Sequence, residues 1–172
     1  MSVLARTIEQ PAVIAFGSNL GDRAGTLLAA ARDLADAPGV ELVAMSSVHE
    51  TAALRPDGVD PDAPAYLNAV AVIRTTLAPH PLLDVLHGIE QAHGRVRGER
   101  WGDRTLDLDI VDFAGMRSET PGLVLPHPRA FERDFVLRPW LEVDAGAELV
   151  GYGRVADLLA GLDAAPASGG AE

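Results

Sequence analysis

Hydrophobic positions change their period several times along this chain, and each change marks an element. Residues 12–18, AVIAFGS, form an unbroken apolar run ending in Gly and Ser, the pattern of a buried strand. After the turn NLGDR, residues 24–37, AGTLLAAARDLADA, place Ala and Leu at helical spacing until the dipeptide PG stops them. Residues 40–51, VELVAMSSVHET, predict a second strand, and residues 66–76, YLNAVAVIRTT, a third. A second helix is predicted over 79–94, PHPLLDVLHGIEQAHG, with Pro near its start and Gly94 at its end. Residues 104–113, RTLDLDIVDF, read as a fourth strand whose Leu106, Leu108 and Ile110 share one face.

The order is β-α-β-β-α-β. That order predicts an α+β fold with a ferredoxin-like core: two helices on one face of an antiparallel four-stranded sheet. The second face must be solvated, covered by later elements, or used. The C-terminal segments GLVLPHPR, DFVLRPWLEV and RVADLLAGL are additions to that core. Between the second and third strands lies a loop, residues 52–65, rich in Pro, Asp and Gly; a connection of that length suits a functional lid or a disordered segment. The expectation is one domain over 1–172 with frayed ends at about 1–10 and 163–172.

Composition narrows the function. The chain has 172 residues and is 48% hydrophobic, enough to bury a core, and it lacks cysteine. No apolar run reaches the ~18–20 residues that span a bilayer, and the N-terminus lacks a signal core, so a cytoplasmic protein with no membrane role is expected. The net charge of −11 argues against binding long nucleic acid. All 14 basic residues are Arg. Without Lys there is neither a Walker-type phosphate loop nor Schiff-base chemistry, so phosphate would be handled by Arg, backbone N–H groups or metal.

The fourth strand carries Asp107 and Asp109 on one face, although aspartate is a poor strand former. Their Cα atoms lie ~6.5–7 Å apart on a regular strand, close enough to converge on hard cations such as Mg²⁺. The alternative is a solvated strand face. Just upstream, Arg95, Arg97, Arg100 and Arg104 outnumber Glu99 and Asp103, a positive island on an acidic chain. These arginines suit phosphate, or they pair with neighbouring carboxylates. Carboxylates for metal beside arginines for phosphate make a nucleoside-triphosphate site. Trp101, Tyr66, Asn68 and Phe135 could stack on and read the edge of a flat heterocycle, with core packing as the alternative for Tyr66 and Phe135. His127, between two prolines, could contact a phosphate or shape its turn. The NLGDR turn links strand to helix as phosphate turns do.

Five blocks stand in order: AFGSNLGDR, ET-AL, YLNAVAVIRT, IEQ-HGRVR-ERWG-RTLDLDI and VLPHPR-FERDFVL-P. In these the chain resembles the 6-hydroxymethyl-7,8-dihydropterin pyrophosphokinases of folate synthesis, over about residues 13–148. The resemblance implies transfer of pyrophosphate from ATP to the pterin hydroxymethyl group, with release of AMP and with two Mg²⁺ ions. It implies metal binding by Asp107 and Asp109, and catalytic roles for these two with Arg95 and Arg104. ATP contacts fall to Glu90, Arg97, Arg100, Trp101, Ile110, His127 and Arg133. The pterin falls to Gly17, Thr51, Leu54, Tyr66, Asn68, Trp101 and Phe135. It further implies a monomer acting on two small-molecule substrates. The chain departs from the family pattern at Asp103, at Ala52–Ala53 and at Pro128.

Overall fold

The structure, a computed structural model, describes residues 7–55, 58–94 and 106–165. The elements run β1 (Gln10–Ser18), α1 (Arg23–Asp36), β2 (Val40–Met45), β3 (His49–Thr51), β4 (Ala53–Arg55), β5 (Gly58–Asp60), β6 (Tyr66–Thr75), α2 (Pro79–Ala92) and β7 (Asp107–Phe113). The C-terminal part adds β8 (Ser118–Thr120), β9 (Leu123–Leu125), α3 (Asp134–Val143), β10 (Glu148–Leu149), β11 (Gly153–Arg154) and α4 (Val155–Ala164). The long strands form one antiparallel sheet in the order β2-β6-β1-β7, as the βαββαβ reading predicts.

Alternation in the strands sorts side chains into two cores. Ile14 and Phe16 of β1, Ala71 and Ile73 of β6, and Leu108 and Ile110 of β7 pack against α1 and α2. The helices answer at helical spacing: Leu27, Ala30, Ala31 and Leu34 from α1, and Leu82, Leu86 and Ile89 from α2. The second face is also covered. Val13, Val70 and Val111 meet Val136, Leu137 and Trp140 of α3 and Val155 and Leu159 of α4. The additions therefore close the far side of the sheet over the middle of its strands and stop short of one end.

Two details depart from the expected elements. The strand expected over residues 40–51 is broken into β2 and β3, which occupy the same edge of β6. At the break the Ser46 hydroxyl accepts the Val70 N–H at 3.0 Å, while the Ser46 N–H donates to the Val70 carbonyl at 2.9 Å. A serine side chain thus replaces a ladder acceptor and the strand bends there. In β7, Val13 pairs with Asp112 and the next residue, Ile14, with Ile110, so Val111 is an extra residue on the β7 side. Alternation alone sends Ile110 to one core and Val111 to the other; the bulge shifts the parity beyond them, so Phe113 rejoins Ile110 in the first core.

The loop over residues 52–65 carries a short hairpin, β4 with β5. The Asp60 carboxylate accepts the N–H groups of Asp62 and Ala63, and the Arg23 guanidinium donates to the Ala65 carbonyl at 2.6 Å. The loop is thereby tied down immediately before β6 begins. No described helix is long and apolar enough to cross a membrane.

Candidate functional site

Register across the sheet assembles the site. Gly17 of β1 lies between Asp107 of β7 and Asn68 of β6, and Asn68 lies beside His49 of β3. Directly paired residues project from the same face, so Asp107, Gly17, Asn68 and His49 form one row across four strands. The next row toward the middle of the sheet holds Asp109 and Ala15, and Tyr66 and Thr51 lie on the other side. This is the face covered elsewhere by α3 and α4. At ~4.8 Å per strand, Asp107 and Asn68 are about 10 Å apart, with only a glycine between them.

Gly17 keeps the floor open. A Cβ there would meet Asn68 Oδ1 at 3.5 Å and Tyr66 Cδ1 at 3.9 Å, both ordinary contacts. The backbone therefore tolerates a side chain at this position, and what the glycine preserves is space. Asn68 is buried and its Nδ2 donates to Thr51 Oγ1 at 2.7 Å. That bond turns its Oδ1 toward the Gly17 floor. The Tyr66 ring edge lines the same floor.

On the β7 side the carboxylates meet a basic arm from the segment before α3. His127 Nε2 lies 4.0 Å from Asp109 Oδ2. Its Nδ1 accepts the Arg129 N–H at 3.1 Å, which fixes the neutral ring with hydrogen on Nε2, aimed at the carboxylates. The His127 N–H donates to the carbonyl of Val111, the bulge residue, at 2.9 Å. Burial lowers the pKa of the ring to about 4, helped by the positive charge of Arg133 and opposed by Asp107. The Arg133 guanidinium lies 5.6 Å over the Phe135 ring. Burial lowers the pKa of Arg133, and Asp109 and Asp107 oppose that shift.

A folded pKa near 4, below the ordinary 6.5, means the neutral ring belongs to the folded state. Its contribution to stability is full above pH 6.5 and is lost as pH falls from there toward 4. In the ligand-free protein the His127 ring proton shifts, followed by NMR, are expected to titrate with a midpoint below about 5. A midpoint near 6.5 would show the ring to be solvated.

Other expected residues sit as follows. Glu90 is buried beneath β7, and its Oε1 accepts the Leu108 N–H at 2.8 Å. The Leu108 N–H therefore points to the free edge of the strand, and by alternation so do the backbone groups of Ile110. Within the NLGDR turn, Asp22 is the N-cap of α1, and its carboxylate accepts the Gly25 N–H at 3.1 Å, so the helix N-terminus is capped by the chain's own carboxylate. The Leu54 side chain, and Arg95, Arg97, Arg100, Trp101 and Arg104, lie outside the described residues. Sequence reasoning passed over Arg129, which sets the His127 tautomer, and the buried Ser18 and Asn19 at the end of β1. The signal for the last two was present: polar residues ending an apolar strand.

A family model described as 7,8-dihydro-6-hydroxymethylpterin-pyrophosphokinase matches residues 13–145. Among curated proteins, the chain is 42% identical to the 2-amino-4-hydroxy-6-hydroxymethyldihydropteridine pyrophosphokinase of Methylorubrum extorquens, covering 88% of this chain and 93% of that one. The Bacillus subtilis protein of the same name is 43% identical, covering 77% of each chain. Among solved structures, a Plasmodium falciparum HPPK-DHPS chain superposes with a TM-score of 0.69 at 13% identity, over 94% of this chain. Another HPPK-DHPS structure, in complex with substrates, gives a TM-score of 0.66 at 13% identity, over 90% of this chain. This chain spans less than half of each of those two, 47% and 43%, and at such identity the likeness establishes the fold.

Proposed function

Since this chain belongs to the 7,8-dihydro-6-hydroxymethylpterin-pyrophosphokinase family, we propose that it moves pyrophosphate from ATP to the hydroxymethyl group of the dihydropterin and releases AMP. The observation that carries this reading is the cross-strand row. Two carboxylates stand at one end, an amide at the other, and a bare glycine floor between them. A flat bicyclic ring laid on Gly17 meets Asn68 Oδ1 with its N–H edge. Its opposite end, which bears the hydroxymethyl group, then points to Asp107 and Asp109.

Asn68, held by Thr51, reads the ring edge, and Tyr66 and Phe135 pack on its faces. Across the carboxylates, Arg133 offers positive charge and His127 a fixed N–H donor to phosphate oxygens. The oxygen of the hydroxymethyl group forms the new bond to the β-phosphorus as the bond to the AMP oxygen breaks. Such transfers need charge neutralisation and in-line placement more than covalent help, and no nucleophilic side chain is required. The free-edge backbone of β7 at Ile110 offers a donor and an acceptor to the adenine. The further phosphate contacts that the family resemblance implies fall to Arg95, Arg97, Arg100, Trp101 and Arg104.

The donor set suits Mg²⁺ brought in with the nucleotide. Among the described residues no group of three His, Asp or Glu forms a protein-only cage, and Mg²⁺ takes carboxylates together with waters and substrate phosphates. Asp107 and Asp109 would hold two such ions, which neutralise phosphate charge when bound.

The proposal is tested by the dependence of ATP consumption on the pterin. Turnover in the presence of Mg²⁺ is expected only when both substrates are supplied. ATP consumed equally well without pterin would identify a phosphohydrolase instead. A second outcome follows from the glycine floor. Gly17→Ala is expected to leave the melting temperature within about 2 °C, because the new Cβ makes only ordinary contacts. It is also expected to raise the pterin KM about tenfold or more by occupying the ring's place. An unchanged pterin KM would remove Gly17 from the site.

A further inference from the structure

Phe135 and Glu142 stand seven positions apart on α3, which brings them to the same side of the helix, about 20° apart in azimuth and about 10 Å apart along the axis. Near the C-terminal end of the helix, the Glu142 carboxylate gathers the donors of Ser47, in the bend between β2 and β3, and of His49 at the start of β3. The Ser47 N–H donates to Oε2 at 2.8 Å. The Ser47 hydroxyl approaches Oε1 at 2.8 Å and Oε2 at 2.9 Å. His49 Nε2 pairs with Oε1. The Ser47 N–H first, then its hydroxyl and His49, hold the Glu142 carboxyl below its ordinary range.

The clamp joins β3, beside the Asn68–Thr51 pair, to α3, which carries Phe135. His49 shares its face of β3 with Thr51 and pairs directly with Asn68 on β6, so its Cβ lies ~5 Å from that of Asn68. Thr51 in turn holds the Asn68 amide. On the other side, α3 carries Phe135 in its first turn. The row that begins at Asp107 therefore ends at His49, and His49 is anchored to the helix that bears the opposite wall.

We infer that the Ser47–His49–Glu142 clamp is a positioning device for the pterin, setting the separation between the Asn68–Thr51 reading edge and the Phe135 wall. This inference rests on the pterin reading of the site given above. The carboxylates of β7 lie three strands from β3, across β6 and β1, and Arg133 caps the opposite end of α3 from Glu142, so the clamp is remote from the phosphate contacts. None of the three clamp residues touches the reacting atoms.

The test compares Glu142→Ala with Glu142→Gln in steady-state kinetics on the full chain, with thermal melting alongside. Glu142→Ala removes all the acceptors and is expected to raise the pterin KM about tenfold, leaving kcat and the ATP KM within about twofold. Glu142→Gln can still accept from Ser47 and is expected to recover most of that loss. Ser47→Ala, which keeps the backbone donor, should fall between them. Equal changes in both KM values together with a lowered melting temperature would make the clamp a mere staple and overturn the inference. So would kinetics unchanged in Glu142→Ala. Neither result touches the activity itself, which fails only if the unsubstituted protein does not require the pterin.

Discussion

Replacing Asp109 with Asn is expected to lower kcat/KM by about a thousandfold while leaving the fold intact, and Asp107→Asn should behave alike. The reasoning weighs two opposed effects. Asp107 and Asp109 project from the same face of β7, where like charges repel and aspartate is a poor strand residue. Removing one charge relieves that repulsion and gives up part of the attraction to Arg133. The Asp109 contact with His127 is 4.0 Å long and involves a neutral ring, so little is lost there. Catalysis bears most of the loss, because phosphate charge would no longer be balanced at the point of transfer. The melting temperature should change little, because the two opposed effects offset each other. Activity within tenfold of the unsubstituted protein would remove the carboxylates from the metal role.

The second large effect is expected beneath the strand. Glu90→Ala strips the acceptor from the Leu108 N–H and leaves a void in a fully buried place. An unsatisfied buried donor and a cavity together cost about 3 kcal/mol. For a chain of this size that is roughly 6–12 °C in melting temperature. Activity should fall further than stability alone implies, since Leu108 lies between the two catalytic carboxylates and its edge-facing backbone sets their spacing. Glu90→Gln keeps an oxygen for Leu108 and should restore most of the stability. Urea midpoints at constant slope, read beside kcat/KM, measure both. A Glu90→Gln protein of normal stability that binds ATP poorly would assign the carboxylate to the nucleotide instead. An alanine variant of unchanged midpoint would show that the buried bond does not hold β7.

Much of this was legible in the chain before any coordinates. The strands and helices announce themselves because β6 carries a short unbroken apolar run and apolar residues recur near period 3.6 in α2, and Pro79 and Gly94 mark the ends of that helix. The bulge at Val111 was hidden, because nothing in the run IVDF shows which of its residues is left unpaired against β1. The break between β2 and β3 was hidden for a different reason. Ser46 forms its bond to β6, a partner that no local pattern reveals. The site divides in the same way. Asp107 and Asp109 declare themselves because charge in a hydrophobic strand is costly without a use. Gly17 acquires meaning only from cross-strand register, which sets it between Asp107 and Asn68. Glu142 lies 95 residues from Ser47, and nothing in either segment names the other.

The central claim is that pyrophosphate moves as a unit to an alcohol held at the end of the Asp107–Asn68 row. The most direct measurement follows the phosphorus atoms of ATP labelled separately at the β and γ positions, in a single turnover with the dihydropterin and Mg²⁺. Both labels are expected to appear together on the pterin, with unlabelled AMP as the other product. Transfer of the γ label alone, leaving labelled ADP, or release of both labels as free phosphate, would contradict the account.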